Sequence, residues 1–150
     1  MPNKQHKIDT CLELIKNNNI LVLATQGEPG PYTSLMTYAS SEDRREIFMV
    51  SSKHSHKWDN IMKNTAVSLL IDNRDGKIET SRDKIKALTI TGNFIPVSGT
   101  SQREEILESI AKVNPAITEI FAGPECGIIR IKAISFLLLD GPEKAFNFAL

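Results

Sequence analysis

The sequence predicts a mainly β protein with α-helices, an antiparallel barrel of six strands with appended helices, and three observations carry that prediction. Six short apolar or alternating segments punctuate the chain, helical periodicity appears only at the start, between the third and fourth segments and late, and the links joining the first three segments are too short for parallel crossovers. With 150 residues, 41% hydrophobic and 24% charged, one domain spanning residues 1–150 and one core are expected.

Ile8, Cys11, Leu12 and Ile15 recur at helical spacing, and Thr10 with Glu13 fits a capping box for a helix that starts slightly later. "ILVLAT", residues 20–25, is a short branched run, and "QGEPGP" after it breaks any regular element. In "YTSLMTYA" two sets of side chains alternate, Tyr32, Ser34, Met36 and Tyr38 against Thr33, Leu35, Thr37 and Ala39. The charged "SSEDRRE" then forms a hairpin link to a third strand, "IFMV".

Ser55 is placed to cap a second helix carrying Trp58, Ile61 and Met62 at helical spacing. "AVSLLI" is the fourth strand, "DNRDGKIETSRDK" a long polar connection, and "ALTITGNFIPV" the fifth, with Gly92 a candidate bulge or close-approach position and Pro96 a strand end. "SQRE" reads as a capping box for a helix over Ile106, Leu107, Ile110 and Ala111 that stops before Pro115. A helical turn in "AITEIF" and a long last strand, "GIIRIKAISFLLL", precede the tail "DGPEKAFNFAL".

Eighteen basic residues balance eighteen acidic ones, so the strong positive field that draws proteins to nucleic acid or anionic membranes is missing. Neither partner is expected. The amino terminus lacks an export pattern and no segment approaches the ~20 apolar residues of a membrane span, which makes a cytoplasmic protein the expectation. Cys11 and Cys126 then read as free thiols, Cys11 on the apolar face of the first helix and Cys126 at a strand entrance.

The chemistry concentrates in "FMVSSKHSHKWDNI", residues 48–61, where serines, histidines and lysines precede a helix. A helix N-terminus offers unpaired N–H groups and the positive end of the macrodipole to an anion. Ser55, His56 and Lys57 supply a hydroxyl, a ring donor and an ammonium for a phosphate, and Ser51 and Ser52 face a second part of the same ligand; alternatively Ser55 is only an N-cap and Lys57 a solvated side chain. No metal is expected, because His54 and His56 have no supporting cluster and His6 is the one other histidine. No G-x-S-x-G turn, orienting carboxylate for either histidine, P-loop or dinucleotide fingerprint is recognisable. Trp58 reads as core, while Tyr32, Met36 and Tyr38 fit either barrel packing or the wall of a flat aromatic ligand.

The succession "LVLAT", "GPYTSLMTYA", "IFMVSSKHSHKWDNIMKNTAVSLLIDNR" and "ALTITGNFIPV" resembles the pyridoxamine 5'-phosphate oxidase-like family of FMN-binding split barrels over roughly residues 8–140. The resemblance implies a six-stranded antiparallel split β-barrel with flanking helices, and a homodimer with flavin in a groove at the subunit interface. It implies FMN contacts from Ser55, His56 and Lys57 to the phosphate, and from Val50, Ser51 and Ser52 and from Ser34, Leu35, Met36 and Thr37 beside the ring. Ser34 stands where many relatives carry arginine, and His56 where they carry a basic residue. The tail "GPEKAFNFAL" has neither the tryptophan nor the Arg-x-His motif of true pyridoxamine phosphate oxidases, so vitamin B6 oxidation is not expected. The expected activity is that of a small FMN-dependent oxidoreductase with an unidentified small-molecule substrate or electron donor. Alternatives are a flavin carrier, storage or stress-sensing protein, a deazaflavin protein, or a haem-binding split barrel with His54 or His56 as axial ligand.

Overall fold

The computed structural model describes residues 3–150. Helix α1 (Lys4–Asn17) precedes strands β1 (Ile20–Gln26), β2 (Pro31–Thr37), β3 (Ala39–Ser40) and β4 (Glu46–Ser52), then helix α2 (His56–Lys63). Strands β5 (Ala66–Asp72) and β6 (Lys86–Phe94), helices α3 (Gly99–Val113) and α4 (Pro115–Ile120), and strands β7 (Cys126–Asp140) and β8 (Lys144–Ala149) follow. All pairings are antiparallel in one eight-stranded sheet of order β2-β1-β5-β6-β7-β4-β3, with β8 on β7.

The class is the one expected, with eight strands in place of six. The segment "YTSLMTYA" is divided, because β2 and β3 lie at opposite ends of the strand order and only Tyr38 joins them. A one-residue link between the two ends forces the sheet to curl into a barrel. Tyr38 is anchored at that point, its hydroxyl donating to the Ile15 carbonyl at 2.6 Å and its N–H to the Asn19 carbonyl at 3.0 Å. The other added strand is the tail: β4 pairs with residues 126–132 of β7 and β8 takes the same side of β7 from Ser135 onward.

Two helix starts also differ from expectation. Asn3 caps α1 by accepting from the His6 N–H at 2.7 Å, so Thr10 and Glu13 lie inside the helix and Thr10 bonds the His6 carbonyl. Helix α3 begins at Gly99 rather than after Ser101, and the Gln102 side chain accepts from the Ser98 N–H at 2.9 Å. At Gly92 the β6–β7 register shifts, and a Cβ there would stand 2.6 Å from Ile131 and 2.8 Å from the Lys132 carbonyl, as a close-approach glycine requires.

The main core fills the barrel with Leu21, Leu23, Met49, Leu69, Ile90, Ile129 and Phe136, and α1 closes it with Cys11, Leu14 and Ile15. Residues of β4 and β7 that point outward, Phe48, Val50 and Ile128, form a second core with Ile106 and Ile110 of α3. Strand β4 is thus buried on both faces. Burial pushes the Cys11 thiol up to about 11, which keeps it protonated at neutral pH; its own backbone and Lys7 oppose that shift more weakly. A thiol reagent at pH 8 is therefore expected to modify half-buried Cys126 and spare Cys11 until denaturant is added. Peptide mass spectrometry checks this, and equal rates at the two cysteines would mean that α1 opens readily from the barrel.

Candidate functional site

Two glycines let α2 approach the barrel. Trp58 lies over Gly127 of β7, where any Cβ would collide with the indole, and meets Phe94 edge-on at 6.2 Å. Two residues later the buried Asn60 side chain fills the space above Gly27 and donates to the buried Thr25 hydroxyl at 3.1 Å. Trp58 is part of the main packing, as its spacing suggests. These contacts fix the N-terminus of α2 beside the end of β4.

At that end the serines satisfy one another. Ser55 caps α2, accepting from the Trp58 N–H at 3.3 Å, and donates its own proton to the Ser52 carbonyl at 2.8 Å. Ser51, 2% exposed, lies 2.9 Å from the Ser55 hydroxyl. The cap takes care of the third amide of the helix only. Among the described residues, the N–H groups of His56 and Lys57 have no hydrogen-bond partner, and the half-buried Lys57 ammonium has no carboxylate within 4.0 Å. Two free amides and an unpaired cation on one helix end make an anion-seeking surface.

A cavity of about 240 Å³ opens in front of it. Leu35, Met36 and Thr37 of β2, Val50, Ser51 and Ser52 of β4, and Ser55 and Lys57 line it, so the two ends of the curled sheet supply opposite walls. Eight of the ten residues expected from sequence meet there. Ser34 does not; it is half-buried on β2, opposite Leu23. His56 is also outside the lining, and its ring packs on exposed Tyr32, with centroids 4.7 Å apart. The possible aromatic wall of Tyr32, Met36 and Tyr38 is dispersed: only Met36 reaches the groove, and Tyr38 is enclosed in the core.

Sequence reasoning missed Ile117 of α4 and Phe121 just after it, which complete the apolar side of the groove. It also missed a carboxylate for His54. The His54 Nε2 lies 2.9 Å from Glu125 Oε2, an exposed pair beside the Lys53 N–H bond to the Glu125 carbonyl at 2.8 Å. Neither His54 nor His56 lines the cavity, and among the described residues no group of three or more His, Cys, Asp or Glu side chains is placed to hold a metal. No helix among them is long and apolar enough to cross a membrane.

A curled antiparallel half-barrel with a groove at its seam defines a split-barrel protein. Residues 8–122 match the sequence model of the family described as pyridoxamine 5'-phosphate oxidase, and the chain belongs to that family. No curated protein matches the sequence. Among solved structures, a haem-binding protein from Mycobacterium smegmatis is similar at TM-score 0.79 and 12% identity over 92% of this chain, which spans 55% of that one. A putative pyridoxamine 5'-phosphate oxidase from Listeria innocua gives TM-score 0.65 and 21% identity, covering 89% of this chain and 98% of the other. A FAD-binding protein from Mesorhizobium loti gives TM-score 0.68 and 16% identity, covering 86% and 91%. At these identities the likeness concerns the fold.

Proposed function

We propose that the seam groove binds FMN and that the protein is a small FMN-dependent oxidoreductase acting on an unidentified small molecule. One observation carries the reading: the half-buried Lys57, without an acidic partner among the described residues, lines a groove beside the free amides that start α2, and the same groove presents Leu35, Met36, Val50, Ile117 and Phe121. A phosphate on Lys57 and the α2 amides leaves the ring against Leu35, Met36, Val50, Ile117 and Phe121, which exclude water from it. Bound flavin would supply the electron transfer, while the chain orients it and sets its surroundings. FAD binding by the Mesorhizobium loti protein supports a flavin. The Mycobacterium smegmatis protein keeps haem in view as a second ligand class, but among the described residues no histidine lines the groove to serve as axial ligand.

The functional unit of this proposal is a homodimer. A cavity of about 240 Å³ falls below the ~300–1,000 Å³ of ligand pockets, so this groove needs a further wall. On the outer face of the sheet, Leu35, Val22, Leu70, Thr89 and Leu137 form one row across five strands. Val22, Leu70 and Leu137 belong to neither core, and Leu35, 73% exposed, also lines the groove. A second copy seated on this row covers it and closes the site from the side where Leu35 stands.

The visible absorption spectrum tests the cofactor. After incubation with FMN and desalting, the purified protein is expected to retain oxidised flavin bands, and to retain much less riboflavin. Equal retention of both would remove the phosphate seat, and a protein that retains haem instead of FMN would replace the flavin reading.

A further inference from the structure

A second cavity, of about 250 Å³, lies on another side of the barrel and has no part in the flavin reading. It is bounded by the end of α1 (Ile15, Lys16, Asn18), by Tyr38, Ala39 and Ser40, by Arg44 in the β3–β4 turn, and by Ser109, Lys112 and Val113 of α3. Three cations from three separate elements meet there, no carboxylate lines the cavity, and among the described residues none of the three has an acidic partner within 4.0 Å.

Two opposing considerations set the net field. Lys16 and Lys112 sit in the last turns of their helices, where a lysine ordinarily offsets the negative end of the macrodipole. Each helix end is equivalent to roughly half a negative charge, so two ends amount to about −1 against three positive charges. A surplus of about two positive charges remains.

Arg44 adds an independent observation. Its φ of 63° is left-handed, the conformation of a turn position suited to Gly or Asn, and it is the one non-glycine residue with positive φ among those described. The strained backbone carries a guanidinium. One terminal nitrogen of that group donates to the Ser40 hydroxyl and the Ser41 carbonyl, both at 3.3 Å, while among the described residues Nε and the other terminal nitrogen carry no hydrogen bond. The free edge is the fork that matches two oxygens of a phosphate.

We propose that this cavity is a binding site for a compact, multiply charged phosphate, of the diphosphate class, held by Arg44, Lys16 and Lys112. Calorimetric titration and thermal melting of the full chain with pyrophosphate test it. The wild-type protein is expected to bind saturably, more weakly as salt rises. Arg44→Gly removes the fork and the unfavourable φ together, so its melting temperature without ligand should be unchanged or higher while pyrophosphate affinity falls at least tenfold. Lys112→Ala should also lose at least tenfold. Lys57→Ala, at the flavin groove, should bind pyrophosphate as wild type does. Absence of binding by wild type, unchanged affinity in Arg44→Gly, or affinity lost in Lys57→Ala and kept in Arg44→Gly would each overturn the site. The last result would return the anion to the groove.

Discussion

Val22→Glu is expected to yield a folded monomer that has lost most of its FMN affinity, although Val22 is no part of the groove. In a single chain Val22 is half-buried on the outer face of β1, between Leu35 and Leu70, and a glutamate there keeps its carboxylate in water. In the proposed dimer the same carboxylate is taken out of water, and Arg74, the cation that lines the surface cavity beside Val22, is already paired with Asp72 at 3.0 Å. A buried unpaired charge costs about 3–5 kcal/mol, so the dimer dissociation constant should rise a hundredfold or more. Analytical ultracentrifugation reads the mass, circular dichroism the fold, and flavin fluorescence the affinity. A variant that stays dimeric with full affinity would show that the partner does not sit on this row.

Lys57→Ala is expected to weaken FMN binding about tenfold or more while leaving riboflavin binding unchanged. Hydrogen bonds to charged groups contribute about 1.5–3 kcal/mol, and this ammonium has no other ionic partner among the described residues. Alanine is also an excellent helix former, so α2 should keep its N-terminus. His56→Ala is the matched control: its ring packs on Tyr32 outside the lining, and FMN affinity should change little. Titration by fluorescence quenching measures all three. If Lys57→Ala binds FMN like wild type, the phosphate lies elsewhere.

Local pattern made much of this legible, and long-range geometry accounts for the rest. Runs such as "ILVLAT" and "AVSLLI" carry their own strand signal, and Ser55 before Trp58 carries its cap, because neighbours in sequence decide both. The break at Tyr38 does not show locally: nothing in "YTSLMTYA" reveals that its two ends join opposite edges of one sheet. The eighth strand did have a signal, the turn-forming "DGPE" ahead of alternating Phe146 and Phe148. The groove shows the same division. Leu35 to Thr37 and Val50 to Ser52 followed from the family resemblance, whereas Ile117 and Phe121 lie in and just after a six-residue helix too short for periodicity to expose. His56 lies outside the lining because adjacent helix residues point about 100° apart, so Lys57 and His56 face different ways.

The one-residue link at Tyr38 also gives the order of assembly a meaning. The β1–β2 hairpin is local, but Ser51 on β4 must find Gly127 on β7 across about half of the chain, and such distant pairings come late in folding. Until they form, the two walls of the groove are loose ends of an open sheet. Under the proposed flavin binding, cofactor loading would act as a proofreading step: a chain whose β2 and β4 have not yet been brought together has no groove to fill.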